Sequence, residues 1–145
     1  MVYQRIVLAY NGSEAGQQAL LASKNLASWS QAKLHLVAVM PLHLNTVVAE
    51  GIVYSNQEEE LQKEAYQSIL DQGLAMLAKE GWVATGELLS GDPVTEICDC
   101  AQRQQADLIV VGHKHKDGWM KRWWSGSVSQ SLIEEAPCSV LVSIS

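Results

Sequence analysis

The sequence predicts one α/β domain, residues 1–145, built on a parallel β-sheet covered on both faces. Three observations carry that reading. Short, continuous apolar runs recur along the chain, as strands buried on both faces require. Stretches with apolar residues at helical spacing separate them, which is the order of right-handed βαβ units. Glycine, proline and serine breakers fall between the two kinds of segment.

Arg5-Ile6-Val7-Leu8-Ala9-Tyr10 reads as the first strand, closed by Asn11-Gly12. Ser13 fits a helix N-cap, with Glu14 in the first turn. Ala15 to Trp29 then carries Ala19, Leu20, Ala22, Leu26 and Trp29 at helical spacing. Leu34 to Met40 is a second strand, stopped by Pro41. Leu42 to Asn56 has no clear period and reads as a long loop, a length uncommon without a role. Gln57 to Lys79 is a helix with Glu58, Glu59 and Glu60 at the positive end of its dipole and Leu61, Ala65, Leu70, Leu74 and Leu77 on its apolar face. Trp82 to Leu89 is a third strand, and Ser90-Gly91-Asp92-Pro93 turns the chain, with Pro93 suited to the first helical position. A helix from Val94 to Gln104 leads to the clearest strand, Asp107 to Gly112. Ser127 to Glu135 is a short helix, ended by Pro137, and Ser139 to Ile144 is the last strand. No internal repeat, low-complexity tract or linker is visible.

Composition narrows the function. A net charge of −6 excludes a protein that binds nucleic acid through its overall charge. No apolar stretch is long enough to span a bilayer. The segment Met1 to Arg5 runs into the first strand without the zones of a signal peptide. Three cysteines, Cys98, Cys100 and Cys138, argue against a disulfide framework and for a reducing cytoplasm.

Open parallel sheets bind ligands beyond the carboxyl ends of strands, where strand order reverses. Two strand ends stand out. The first strand ends in Tyr10-Asn11-Gly12-Ser13. The fourth ends in Gly112 and opens into His113 to Ser127, which holds four of the ten Lys and Arg residues, two of the four histidines and the single acid Asp117. Ser125-Gly126-Ser127-Val128-Ser129 begins a helix, whose amide groups suit a phosphate or another anion; the bland alternative is a simple cap beside a solvated basic loop.

These residues resemble a known family. Asn11-Gly12-Ser13-Glu14, the block Gly91-Asp92-Pro93 with Ala106 to Gly112, and Gly126-Ser127 with the tail Val128 to Val142 are similar to the opening, middle and closing blocks of UspA-like universal stress proteins. The resemblance covers nearly the whole chain in order; only Leu42 to Asn56 is uninformative. It implies a Rossmann-like three-layer sandwich with a five-stranded parallel sheet, order 3-2-1-4-5, paired as a homodimer through the last strand. It also implies a stress-response regulator that binds ATP, with Mg as a possible companion, through a Gly-x-x-Gly, nine residues, Gly-Ser/Thr pattern. Carried over, Ala9 and Asn11 lie near ribose and adenine, Val39 meets adenine through its backbone, Gly112 approaches ribose and phosphates, and Gly126, Ser127 and Val128 cradle phosphates, with His113 and His115 between.

Three departures bear on that ligand. The family's acid is Asn11 here, which keeps a donor and an acceptor but no charge. His115 stands at the place of the second glycine. The segment between Gly112 and Gly126 is one residue longer than the pattern. Two outcomes stand open: His115 blocks phosphate, or Lys114, Lys116, Lys121 and Arg122 replace backbone donors with charged ones.

Competing readings remain for single features. Trp119, Trp123 and Trp124 either close over the core as a lid or contact a protein partner. His113 and His115 lack a companion ligand at a convincing spacing for metal. His35 reads as a packed or satisfied histidine, Cys98 and Cys100 as inert residues on different sides of a helix, and Cys138 as buried. No catalytic constellation is present, so enzymatic action is limited to weak nucleotide hydrolysis at most. The alternative to a nucleotide-responsive regulator is a dimeric interaction module of the same fold that binds no nucleotide.

Overall fold

A computed structural model describes residues 3–41, 56–113 and 127–144. Along the chain run β1 (Arg5–Ala9), α1 (Glu14–Ser30), β2 (Lys33–Met40), α2 (Asn56–Lys79), β3 (Ala84–Ser90), α3 (Pro93–Arg103), β4 (Leu108–His113), α4 (Ser127–Glu135) and β5 (Ser139–Ile144). The five strands form one sheet in the order β3-β2-β1-β4-β5, and every pairing is parallel.

Alternation of side chains along each strand divides the core in two. Ile6, Leu8, Leu34, Leu36, Leu108 and Val110 face α1 and α2, where Ala19, Leu20, Leu70 and Leu77 cover them. Val7, Val37, Ile109 and Val111 face α3 and α4, where Ile97, Cys100, Ala101 and Leu132 cover them. Both faces of β1 and β4 are therefore dry, which is why their sequences are apolar without alternation. Fully burying a side chain such as Ile109 or Leu36 contributes roughly 1.5–3 kcal/mol.

Helix starts are fixed locally. The Ser13 hydroxyl accepts from the Gly16 N–H at 3.0 Å, as an N-cap should. Asp92 caps α3 by accepting from the Thr95 N–H at 3.0 Å, and Pro93 occupies the first turn.

Several boundaries differ from the sequence expectation. The third strand begins at Ala84, not Trp82, and Val83 is 94% exposed. Pairing with Leu34 starts only at Ala84, so backbone register rather than apolar character sets the strand's start. Tyr10 lies beyond β1, although its N–H still bonds the Val37 carbonyl at 2.9 Å. Asn56 belongs to α2 rather than to the preceding loop, and the remainder of that loop lies outside the described residues. Cys138 is half-buried rather than buried, because it precedes a strand at the sheet edge. No helix among the described residues is long and apolar enough to cross a membrane.

Candidate functional site

Strand order reverses between β1 and β4, which are hydrogen-bonded neighbours with Ala9 opposite Val111. Sequential connections leave these two strands in opposite directions, so a crevice opens over their carboxyl ends. The sequence-picked residues Ala9, Asn11 and Gly112 all fall at that crevice.

The turn after β1 is rigidly built. The Asn11 Oδ1 accepts from the Ser13 N–H at 3.0 Å, an Asx turn that aims the chain into α1. Gly12 has φ +80°, a left-handed conformation that glycine adopts freely. Tyr10 turns to the other face, where its hydroxyl approaches the Met76 sulfur at 3.9 Å. Burial pushes its pKa up, against an opposing hydrogen bond with Gln17.

Val39 contributes through its peptide. The Val37 carbonyl bonds the Tyr10 N–H, so it points toward β1. Strand periodicity turns Val39's N–H and C=O to the same side, two residues past the Ala9–Val37 pair and therefore over the tip of β1. The Met40 carbonyl points the other way, to the Gly91 N–H at 3.0 Å. Ala9, Val39 and Val128 all pack against the same half of the core, which sets the first turn of α4 on the face that carries Ala9 and Val39.

Gly112 presses against the first turn of α1. A β-carbon there would fall inside contact with the Ala15 carbonyl and only 2.8 Å from the Gly16 nitrogen. The strand thus needs glycine at this position for packing, independently of any ligand. The backbones of His113 and Ser127 end β4 and start α4. His115, Gly126 and the tryptophans Trp119, Trp123 and Trp124 lie outside the described residues.

A cavity of about 410 Å³ lies elsewhere, at the amino ends of the strands, lined by residues including Arg5, Lys33, His35, Thr85 and Gln104. Among the described residues, none of those picked from the sequence for the nucleotide lines it. His35 is satisfied as expected: Nδ1 lies 2.6 Å from the Thr85 hydroxyl and Nε2 lies 3.0 Å from Glu87 Oε1. Sequence reasoning passed over Glu87. Its signal was a lone carboxylate within an otherwise apolar strand end, Glu87-Leu88-Leu89. Burial alone would raise its pKa, but hydrogen bonds from His35 and Cys100 and the charges of Arg103 and His35 outweigh that and hold it low. Burial pushes Cys98 and Cys138 up and Cys100 up to about 12, so all three are held as thiols at neutral pH.

The universal stress protein family model matches residues 2–143. A universal stress protein of Methanocaldococcus jannaschii is 32% identical over 97% of this chain and 82% of its own length. The Bacillus subtilis universal stress protein YxiE is 30% identical over 97% and 99%. Among solved structures, a universal stress protein family member from Burkholderia pseudomallei superposes with a TM-score of 0.76 at 25% identity, covering 97% of this chain and 95% of that one. Two more distant folds were solved with nucleotides. The Archaeoglobus fulgidus protein in complex with dAMP has a TM-score of 0.69 at 22% identity, covering 98% of each chain. The Arabidopsis thaliana protein with AMP bound has a TM-score of 0.66 at 19% identity, covering 97% and 91%. On the match along its length, this chain belongs to the universal stress protein family.

Proposed function

We propose that this chain is a nucleotide-responsive stress regulator that binds an adenine nucleotide, ATP with Mg as first candidate, at the switch point between β1 and β4. The observation that carries the reading is the Val39 peptide, turned over the tip of β1 beside the Asn11-Gly12-Ser13 turn. A peptide N–H and C=O side by side match the donor–acceptor edge of adenine. Asn11 has its side-chain oxygen engaged by Ser13, so a ribose hydroxyl would meet its amide N–H₂. The amide groups at the start of α4, with Gly126, Ser127 and Val128, would hold phosphates; Gly112, His113 and His115 would flank them. The AMP and dAMP complexes of two proteins with this fold support the ligand class.

The protein would act by binding, with at most weak hydrolysis, in a reducing cytoplasm. Occupancy would shift the protein toward the conformation the nucleotide binds better and so change a surface offered to a protein partner. Calorimetry with ATP and magnesium tests the reading and should give a single site per chain. Absence of heat, together with no thermal shift at millimolar nucleotide, rejects it.

A second reading rests on β5. This edge strand leaves Leu141 37% and Ile144 65% exposed. Two such edges paired about a two-fold axis would satisfy their backbone groups and cover those side chains. The homodimer belongs to both readings; in the second it is an interaction module that binds no nucleotide. Light scattering at micromolar protein should give twice the chain mass, and a monomer counts against the dimer.

A further inference from the structure

On the α3 side of the sheet, away from the switch point, one carboxylate oxygen gathers more donors than it can serve. Glu87 Oε1 lies 3.0 Å from His35 Nε2, 3.2 Å from Cys100 Sγ, and 3.3 Å from both terminal nitrogens of Arg103. A single carboxylate oxygen offers two lone pairs. The nitrogen of His35, the oxygen of Glu87 and the sulfur of Cys100 all lie within 4.8 Å of one another. Around a tetrahedral zinc ion, such donors stand about 3.3–3.6 Å apart, from bond lengths of roughly 2.0–2.3 Å. The two separations from Glu87 Oε1, 3.0 Å to His35 and 3.2 Å to Cys100, need to open by only a few tenths of an ångström, and the third lies within 4.8 Å.

We propose that His35, Glu87 and Cys100 form a binding site for Zn²⁺, with a fourth position for water. The donor set is one imidazole, one carboxylate and one sulfur, which suits zinc and is too soft for magnesium or calcium. The support around it also fits. With Nδ1 protonated, His35 donates to the Thr85 hydroxyl at 2.6 Å, and that hydroxyl donates to the Leu34 carbonyl at 3.4 Å. This locks the ring, so that Nε2, which donates to Glu87 in the free protein, would turn its lone pair to the metal once its proton is displaced, the arrangement found where a histidine binds metal. The cavity at the amino ends of the strands reaches His35, Thr85 and Gln104, one helical turn beyond Cys100, and provides an approach.

Binding is a simple exchange. The Cys100 S–H and His35 Nε2–H bonds break, their electron pairs form the zinc–sulfur and zinc–nitrogen bonds, and the displaced protons leave the site. Arg103 is half exposed, with 52% of its side chain accessible, and swings outward as the cation takes over the Glu87 charge. Arg103 therefore acts as a resident competitor of the metal.

The test uses the full chain, stripped with chelator and titrated with Co²⁺ and then Zn²⁺. One cobalt per chain should give a thiolate charge-transfer band and the visible bands of four-coordinate cobalt, bleached by zinc. Cys100→Ser keeps a hydroxyl donor to Glu87; it should abolish the charge-transfer band and weaken zinc by more than roughly 100-fold, since changes outside the ligands alone cost 10–100-fold. The double variant Cys98→Ser, Cys138→Ser should retain the bands. Arg103→Ala should tighten binding by roughly two- to fivefold, the worth of an exposed ion pair. Melting curves of each stripped variant report folding separately. The proposal is overturned if wild type shows no charge-transfer band, if the band survives Cys100→Ser, or if it disappears in the Cys98, Cys138 double variant while that protein melts normally.

Discussion

Replacing Gly112 by alanine sets two physical effects against each other. Within a strand, alanine loses less chain entropy than glycine, so propensity alone predicts a gain of roughly 0.5–1 kcal/mol. The packing predicts the reverse. The new methyl group would run into the Ala15 carbonyl and sit 2.8 Å from the Gly16 nitrogen. Both are backbone atoms, and neither can rotate aside as a flexible side chain would. The turn that carries them is held by the Ser13 cap and by the Gln17 N–H to Ser13 carbonyl bond at 2.9 Å. Overpacking of a fitted interior costs about 1–3 kcal/mol, and rigid partners put this case near the upper end. For a chain of this size, about 3 kcal/mol lowers the melting temperature by roughly 6–12 °C. Thermal melting by circular dichroism decides the sign. A melting temperature equal to wild type or higher would refute the packing argument. At the proposed nucleotide site the same variant would also act through displacement of α1, so a binding defect in it carries meaning only beside its melt.

Four further outcomes follow from the local geometry. Ser13→Ala removes the α1 cap and should cost about 1 kcal/mol in urea unfolding, with little change in slope. Glu87 has a folded pKa held below 4.5, so its contribution is complete above that value and fades as acid protonates it; Glu87→Gln should lie below wild type at neutral pH and converge with it in acid, and parallel stability curves would contradict this. Cys100 is fully buried with its pKa pushed up to about 12, so it should resist alkylation at pH 8 until the chain unfolds. Since the unfolded thiol ionises near 9, stability should also fall as pH rises from there toward the folded value, measurable in alkaline melts.

The central strands were plain in the sequence because both their faces are dry. Ile6-Val7-Leu8 and Leu108-Ile109-Val110 needed no partner to be recognised. The edge strand β3 was harder. Its first residues, Ala84-Thr85-Gly86, look less like a strand than Trp82-Val83 before them, yet register with Leu34 to Leu36 places the strand there. The Asn11 turn and the Ser13 cap were readable because capping is local. Val39 came only from the family resemblance, since its contribution is the direction of a peptide and not a side chain. The His35, Glu87 and Cys100 cluster was hidden for a different reason. Its members lie on three elements, the first pair 52 positions apart and the second 13, and no short motif joins them. Only pairing of β2 with β3, and the seating of α3 above them, brings the three together.

The bend at Gly12 has a neighbour outside its own βα unit. A methyl group added there would meet two carbon atoms of Ile69, on α2, at 3.3 Å. The long helix is thus a buttress for the sharp corner at which the nucleotide is proposed to bind. A shove on α2, from a partner leaning on its outer side, would be felt at that corner without passing through the sheet. Affinity at the proposed site could accordingly be tuned from α2, through Ile69.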